Sequence, residues 1–326
     1  MKKLRRGKKK NFRLFLTLAI YFVLVSCALA AFWRSTVIKP PDSEPLTAAA
    51  PVSPAVGAGR TNGGLPLISS NAILFDPADG HILFAKNAHE RAYPASLTKV
   101  MTALVAVEQI DDLDASVTLE YADYAGLYEQ NAAMAGFTMG ETVTARDLLY
   151  ATLLPSGAEA ARALARVAAG SQADCITMMN DRAHALGMTN SHFTNVTGLH
   201  DPDHYTTVYD LSLLLTAALK NDNFTKAFST FSYTTTTTAQ HPQGLRLTST
   251  LTPRIQQLQR EAEPIIGAKT GYTEEAQLCL ASVGEYEGVT RAIITIGAVG
   301  DGRSEPTHLV DAYLLYEKSL PLNTPY

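Results

Sequence analysis

Cysteine is scarce in this chain, with three among 326 residues. Cys27 lies in an apolar N-terminal run, and Cys175 and Cys279 lie in mostly apolar segments. A disulfide framework needs several pairs of cysteines, and a structural zinc site needs clustered Cys and His ligands. The sequence has neither pattern, so we expect no bound metal. We predict that Cys175 and Cys279 are small buried hydrophobic residues without a disulfide.

Acidic residues are absent from the first thirteen positions, which hold eight of the 27 basic residues of the chain. The remainder carries 19 basic residues against 31 acidic ones, a net charge of −12. Nucleic acids are polyanions that bind to basic surfaces, so an acidic body of this size argues against a nucleic-acid partner.

The segment from Leu14 to Trp33 contains no charged residue over twenty positions. An apolar helix of about twenty residues spans a bilayer, and a basic flank keeps the N-terminus in the cytoplasm. We therefore predict that residues 1–34 form a cytoplasmic basic tail and a membrane anchor. The alternatives are a signal peptide cleaved near the small residues at 28–30 and a lipoprotein signal with lipid on Cys27. Each of the three exports the rest of the chain.

Residues 35–66 contain six prolines between Pro40 and Pro66, together with alanine and glycine, and show no helical or strand periodicity. Such a composition is typical of a semi-extended linker. We predict that this linker separates the membrane segment from one folded domain, residues 67–326, which is long enough to bury a sizeable core.

The folded region begins with a predicted hairpin, because two apolar runs surround a turn that contains proline and glycine. Later segments rich in β-branched residues predict four more strands. Between them lies a helical middle, and a helix closes the chain. The predicted strands are 71–75, 81–85, 231–239, 265–269, 278–283 and 289–296, and the predicted helices are 96–110, 144–154, 158–169, 173–186, 209–220 and 305–320. This order predicts an α+β fold in which helices are inserted into an antiparallel sheet.

Ser96 and Lys99 stand at the start of an apolar run that indicates a buried helix. Pro94 does not fit a helix interior, so the helix is predicted to begin at about Ser96. Residues three apart share a helix face, which places the Ser96 hydroxyl beside the Lys99 amine. A desolvated lysine can take the proton of a serine nucleophile, and free N–H groups at a helix N-terminus can stabilise an oxyanion. An N-capping serine beside a solvent-facing lysine is the simpler alternative.

Two further motifs have both a chemical and a plain structural explanation. Lys269-Thr270-Gly271, at the end of a predicted strand, offers an ammonium and a hydroxyl to a carboxylate, and its glycine allows close approach to the backbone. Ser156 lies in the Pro155–Gly157 break between two helices, where its hydroxyl can relay a proton. Taken singly, the first is a strand end with a turn and the second is a helix cap.

The order Ser-x-x-Lys, then Ser-Gly-x about sixty residues later, then Lys-Thr-Gly resembles the penicillin-interacting serine enzymes, which include serine β-lactamases and penicillin-binding proteins. Within that class the chain is similar to the low-molecular-mass penicillin-binding proteins that act as D-alanyl-D-alanine carboxypeptidases. The finer resemblance covers about residues 67–297 and lies in Tyr93–Lys99, Leu186–Phe193, Gly198–Thr207 and Lys269–Thr273. It implies a β-lactamase/transpeptidase-like fold for residues 67–326.

The resemblance implies the chemistry of three side chains. Ser96 is expected to attack the carbonyl of the penultimate D-alanine in a peptidoglycan stem peptide, with Lys99 as the base. Ser156 is expected to pass a proton to the departing D-alanine, and water then hydrolyses the acyl-enzyme. β-Lactams mimic this substrate and are expected to acylate Ser96. The family's reaction requires no cofactor.

The resemblance also implies how the substrate is bound. Lys269 and Thr270, next to Gly271, are expected to hold its terminal carboxylate. The backbone N–H groups of Ser96 and Tyr272 are expected to form the oxyanion hole.

Ala158 departs from the family, which usually has asparagine there to orient the lysine base and bind the substrate backbone. Gln277, beside the site strand, replaces a usual glycine. A D,D-endopeptidase that cuts cross-links uses the same residues and is one alternative. A weakly active or inactive protein that binds stem peptides is another, because Ala158 can make neither hydrogen bond. A β-lactamase is less favoured, because no extra carboxylate base is recognised.

His200 and His204 have the spacing of two zinc ligands on one helix face. Pro202 lies between them, which argues against a continuous helix. The family places this segment as structural support near the site. We therefore expect a structural role for these histidines and no metal ion.

Overall fold

The computed structural model describes residues 64–319. Its strands, in chain order, are β1 Asn71–Phe75, β2 Ile82–Lys86, β3 Ser116–Thr118, β4 Thr142–Thr144, β5 Ser232–Thr234, β6 Arg246–Thr248, β7 Ile265–Thr273, β8 Gln277–Tyr286 and β9 Val289–Ala298. Its α-helices are α1 Thr98–Gln109, α2 Tyr121–Tyr124, α3 Ala145–Leu153, α4 Ala158–Ala169, α5 Gln172–Ala185, α6 Val208–Ala218, α7 Asp222–Phe228, α8 Leu251–Gln257 and α9 Thr307–Lys318. A 3-10 turn, Ala95–Leu97, leads into α1.

Five strands form the main sheet in the order β2-β1-β9-β8-β7, and all neighbouring pairs are antiparallel. Helices α1 to α8 lie in the chain between β2 and β7. The predicted antiparallel sheet with an inserted helical region is therefore confirmed. Strand β7 is an edge strand, so one side of its backbone is open to a further strand.

The sheet has apolar side chains on both faces, as strand β1 illustrates. Ile73 and Phe75 belong to the large cluster shared with helices α1 to α7, whereas Ala72 and Leu74 belong to a second cluster shared with α8 and α9. Alternate residues of a strand point to opposite faces, so one short strand contributes to both clusters. The result is a sheet covered by helices on both sides.

Most predicted elements lie within a few residues of the observed ones. The first hairpin is formed by β1 and β2, and Thr144 caps α3 by accepting a hydrogen bond from the backbone N–H of Asp147 at 3.0 Å. Helix α3 ends before the predicted break at Pro155–Gly157, and helix α4 begins directly after it. Cys175 and Cys279 are buried and free, as predicted. The short helices α2, α7 and α8 and the strands β3, β4 and β6 were not predicted.

The predicted strand 231–239 is wrong in its length and in its position. Only Ser232–Thr234 forms a strand, and it pairs with β6 in a separate two-stranded sheet. The next threonines donate instead to buried carboxylates: Thr236 Oγ1 to Asp147 at 2.6 Å and Thr238 Oγ1 to Glu141 at 2.6 Å. The backbone N–H of Thr236 also donates to Asp147, at 3.2 Å, so a group that a longer ladder would need is already bonded to a side chain, which explains why the strand stops.

The predicted basic tail and membrane segment, and residues 35–63 of the predicted linker, lie outside the described residues. None of the helices within residues 64–319 is long and apolar enough to cross a membrane.

Candidate active site

Ser96 lies in the 3-10 turn that opens helix α1, one residue after Ala95, which has a positive φ of 45°. This conformation is uncommon for a residue with a side chain and is found at functional sites. The turn presents Ser96 half-buried, with its Oγ 3.1 Å from Nζ of Lys99. The predicted apposition of hydroxyl and amine is therefore observed, and the lysine does not face solvent.

Lys99 is 2% exposed and donates a second hydrogen bond to the carbonyl oxygen of Thr197 at 2.6 Å. Its burial lowers the pKa of the amine from 10.5 to about 7, and the charge of Glu159 acts in the opposite direction. A buried ammonium loses hydration, so the neutral amine is favoured. Near neutral pH a large fraction of Lys99 is thus a free base in hydrogen-bond contact with the Ser96 hydroxyl.

Ser156 lies between α3 and α4 with a positive φ of 66°. It lines the same cleft as Ser96 and Lys99, and its buried Oγ has no hydrogen-bond partner among the described residues. An unpaired buried hydroxyl is costly, and a substrate group that pairs with it recovers that cost. Ala158 also lines the cleft, with its backbone N–H donating to the Ala133 carbonyl at 2.8 Å and its side chain limited to a methyl group.

Lys269, Thr270 and Gly271 lie inside β7, which continues to Thr273, so their predicted position at a strand end is wrong. Tyr272 and Thr273, an aromatic and a β-branched residue, continue the pairing with β8 beyond the motif, which explains the longer strand. A Cβ at Gly271 would lie 3.1 Å from the backbone nitrogen of Ser96. The absence of a side chain therefore lets β7 pack directly against the turn that carries Ser96.

Lys269 is 1% exposed, and its Nζ donates to the carbonyl oxygen of Thr270 at 2.7 Å. Burial, assisted by the charge of Lys99, holds the pKa of Lys269 well below its usual range. The hydroxyl of Thr270 lies 2.6 Å from that of Thr250 and lines the cleft, whereas Lys269 lies behind the cleft wall. Of these two side chains, Thr270 is therefore the one that lines the cleft.

These residues surround a cleft of about 680 Å³. Of the predicted site residues, it is lined by Ser96, Lys99, Ser156, Thr270, Gly271 and Tyr272. Further lining residues that were not predicted include Gln130–Ala133, Thr197–Leu199, Thr250, Arg254 and His308. Arg254 and His308 lie on α8 and α9, and the others lie on connecting segments. Except for Gly198 and Leu199, which begin the quoted segment Gly198–Thr207, these residues lie outside every motif that the sequence offered.

His204 is 2% exposed, and its burial lowers its pKa to about 4. Its Nε2 lies 2.7 Å from Thr98 Oγ1, and its Nδ1 accepts from the Thr194 backbone N–H at 3.0 Å. His200 instead packs edge-on against Tyr93 and lies 3.5 Å from Glu275. The two histidines thus have separate partners, and no metal-binding cluster of His, Cys, Asp or Glu is found within residues 64–319.

Gln277 adopts a positive φ of 57°, a conformation that glycine takes without strain. Its side-chain amide donates to the Glu274 carbonyl and its Oε1 accepts from the Gly300 backbone N–H at 3.4 Å. These local contacts hold the non-glycine residue at the start of β8.

A family model described as D-alanyl-D-alanine carboxypeptidase, peptidase S11, matches residues 61–300. The chain belongs to this family. It is 35% identical over 242 residues to the D-alanyl-D-alanine carboxypeptidase of Streptomyces sp. strain K15, a match that covers 72% of this chain and 80% of that one. It is 31% identical over 244 residues to D-alanyl-D-alanine carboxypeptidase DacF of Bacillus subtilis, covering 74% of this chain and 60% of DacF.

The crystal structure of the Streptomyces K15 DD-transpeptidase is similar to this chain with a TM-score of 0.69 and 30% identity, over 78% of this chain and 99% of that one. The predicted fold class and the predicted family of serine peptidases are confirmed. A D-alanyl-D-alanine endopeptidase of Pseudomonas aeruginosa is 29% identical over 256 residues. The relatives described as carboxypeptidases favour that function over the endopeptidase and over an inactive binding protein.

Proposed function

We propose that this chain is a serine D,D-carboxypeptidase that removes the terminal D-alanine from peptidoglycan stem peptides through an acyl-enzyme on Ser96. The observation that carries this proposal is the contact of 3.1 Å between Ser96 Oγ and Nζ of the buried Lys99. A nucleophile within hydrogen-bond reach of a base that is partly neutral at physiological pH is the arrangement that acyl transfer requires. The base in this site is an amine with its pKa lowered to about 7.

Acylation uses the three catalytic side chains in sequence. Lys99 takes the proton of Ser96 as the oxygen attacks the penultimate carbonyl, and the backbone N–H groups of Ser96 and Tyr272 stabilise the oxyanion. Ser156, with its unpaired Oγ in the same cleft, passes a proton to the nitrogen of the leaving D-alanine. Water then attacks the ester and releases the shortened peptide. Benzylpenicillin undergoes the same attack by Ser96 and leaves the serine acylated.

The substrate peptide is placed as an added strand along β7. This strand is at the sheet edge, and its Gly271 lies against the Ser96 turn. Main-chain hydrogen bonds to an edge strand orient an extended peptide without regard to its side chains. The terminal carboxylate then lies at Thr270, where the hydroxyl contacts it, and its negative charge favours the ammonium form of the buried Lys269 beside it.

Ala158 supports the alternative of an inactive binding protein less strongly than the sequence suggests. The base in this chain already has an acceptor, the carbonyl of Thr197 at 2.6 Å. An orienting asparagine is therefore dispensable for holding Lys99, although its contact to the substrate backbone is lost. The endopeptidase alternative uses the same residues and differs in the substrate that enters the cleft.

Action on peptidoglycan places the active domain outside the cytoplasmic membrane. We propose that residues 67–326 form this catalytic domain and that Leu14–Trp33 tethers it to the membrane. The support is the uncharged run of twenty residues with its basic flank and the proline-rich linker that follows.

The decisive experiment is the intact mass of the full chain after incubation with benzylpenicillin. One added penicillin mass is expected for the parent and for Ser232→Ala, an exposed serine on β5 outside the cleft, and none for Ser96→Ala. Free D-alanine released from a pentapeptide, without cleavage of a cross-linked peptide dimer, separates the carboxypeptidase from the endopeptidase. A parent chain that gains no mass over hours contradicts the proposed function.

A further inference from the structure

The orientation of Lys99 is set by a loop that contains none of the predicted site residues. Of the two hydrogen bonds of Lys99 Nζ, the bond to the Thr197 carbonyl at 2.6 Å is shorter than the one to Ser96 Oγ at 3.1 Å. An amine that must take a proton from Ser96 needs a fixed second partner, because a flexible side chain loses the reactive geometry. The methyl group of Ala158 cannot be that partner, so the position of the Thr197 carbonyl decides where the base lies.

The side chain of Asn195 holds that carbonyl in place. Its Oδ1 accepts hydrogen bonds from the Thr197 backbone N–H at 3.1 Å, from Thr197 Oγ1 at 3.0 Å and from the Gly198 backbone N–H at 2.7 Å. Its Nδ2 donates to the Leu199 carbonyl at 3.0 Å. One amide group therefore closes residues 195–199, the Asn195 loop, into a tight turn whose Thr197 carbonyl points at Lys99.

The Asn195 loop is also packed directly against the elements that carry the nucleophile. Thr102 of α1 donates its hydroxyl to the Val196 carbonyl at 2.8 Å. Gly198 has a φ of +79°, and a Cβ there would lie 1.8 Å from the carbonyl oxygen of Ala95. Only glycine fits this contact, so the loop and the Ser96 turn form one rigid unit.

We propose that Asn195 is the positioning residue for the Lys99 base. Through the Thr197 carbonyl it orients the Lys99 amine, a role that the alanine at position 158 cannot fill in this chain. The proposal rests on the proposed function, because it assigns Asn195 an effect on acylation of Ser96. Asn195 itself touches neither the nucleophile nor the base by any hydrogen bond. It acts on the reaction through the backbone.

The charged groups that act on Lys99 come from two other elements. Glu159 on α4 favours the ammonium form of Lys99, and the charge of Lys99 in turn lowers the pKa of Lys269 on β7. Replacement of Asn195 by alanine changes neither group. A change in acylation by that variant therefore reports on the geometry of the base.

The test measures the rate constant of acylation by benzylpenicillin in full-length variants at pH 8. Asn195→Ala is expected to be acylated about 10- to 100-fold more slowly than the parent, since a displaced base loses its alignment with Ser96. Ala158→Asn is expected to accelerate acylation of the Asn195→Ala variant at least about fivefold more than it accelerates acylation of the parent, because the effects of two residues with one shared role are not additive.

The matched control is Asn180→Ala. The Asn180 side chain is also hydrogen-bonded to the backbone: its Oδ1 accepts from the Phe193 N–H at 2.9 Å and its Nδ2 donates to the Phe193 carbonyl at 2.8 Å. It lies outside the Asn195 loop. It is expected to lower the Tm and to leave the acylation rate constant within about twofold of the parent. A folded Asn195→Ala protein with parental acylation, or an equal effect of Ala158→Asn in both backgrounds, overturns the proposal.

If Asn195→Ala does not fold, Asn195→Asp replaces it, since an aspartate oxygen can accept the same three hydrogen bonds. It loses the donation from Nδ2 to the Leu199 carbonyl, so the loop that carries the Thr197 carbonyl is held less tightly, and acylation on the high-pH plateau is expected to be at least about threefold slower than in the parent. A folded Asn195→Asp protein with the parental plateau rate constant overturns the proposal. A parent chain that is not acylated at all refutes the proposed function instead, so the two failures are distinguishable.

Discussion

Acylation of Ser96 is expected to rise steeply with pH between 6 and 8, because Lys99 accepts the serine proton only when its amine is neutral. Burial lowers the pKa of this amine to about 7. A base with that pKa is neutral in about 9% of molecules at pH 6 and in about 91% at pH 8, so the rate constant should increase about tenfold. Above pH 8 the curve should flatten.

The magnitude of the effect of burial follows from the same numbers. A lysine with the ordinary pKa of 10.5 would be neutral in only about 0.03% of molecules at pH 7, against about half for Lys99. Burial thus increases the concentration of the reactive base by a factor on the order of 10³ at neutral pH. This gain depends on the side chain being 2% exposed.

The assay follows the intact mass of the full chain at several benzylpenicillin concentrations and times, from pH 5.5 to pH 9.5. The Tm at each pH serves as the control for folding, and the hydrolysis of free benzylpenicillin is measured separately. A rate constant that stays flat from pH 6 to pH 8, or that still rises at pH 9.5, would refute the assignment of Lys99 as a buried base.

Two substitutions test the packing of the site. Gly271→Ala places a Cβ 3.1 to 3.3 Å from the Ser96 nitrogen, the Ala95 Cβ and the Pro94 carbonyl oxygen, so β7 and the turn must separate by a few tenths of an ångström. We expect about tenfold slower acylation, and a parental rate constant would contradict the contact. Lys99→Met should abolish acylation yet raise the free energy of unfolding by about 2 kcal/mol at pH 7. Removing the amine relieves about 4 kcal/mol of burial cost, which exceeds the cost of leaving the Thr197 carbonyl without a hydrogen-bond donor. The unfolded state binds more protons at Lys99 between pH 7 and 10.5, so this gain should shrink as pH rises through that window; a variant less stable than the parent in urea would contradict it.

The local relation of Ser96 and Lys99 could be predicted because it follows from the chain itself. Three residues of separation on a helix place two side chains together whatever surrounds them. The break at Pro155–Gly157 and the cap at Thr144 are similarly local, and each was predicted at its observed place. The order of strands and helices also predicted the fold class, since a helical block between strands indicates an antiparallel sheet with an insertion.

The threonine segment shows where local reasoning fails. Its β-branched residues favour a strand, but Thr236 and Thr238 bond to Asp147 and Glu141, which lie about ninety residues earlier in the chain. A propensity scale contains no information about a partner at that separation. The same holds for the Lys-Thr-Gly motif, whose position inside β7 depends on its pairing with β8.

The sequence by itself determined which groups this protein brings to its chemistry: a serine and a lysine one helical turn apart, a second serine in a helix break, and a lysine, threonine and glycine on a late strand. Only the tertiary structure decided the state of the base. The pKa of Lys99 is lowered by its surroundings, and its orientation is set by the Thr197 carbonyl, 98 residues away in the chain. Desolvation and long-range hydrogen bonds belong to the packed molecule, so no pattern of neighbouring residues contains them.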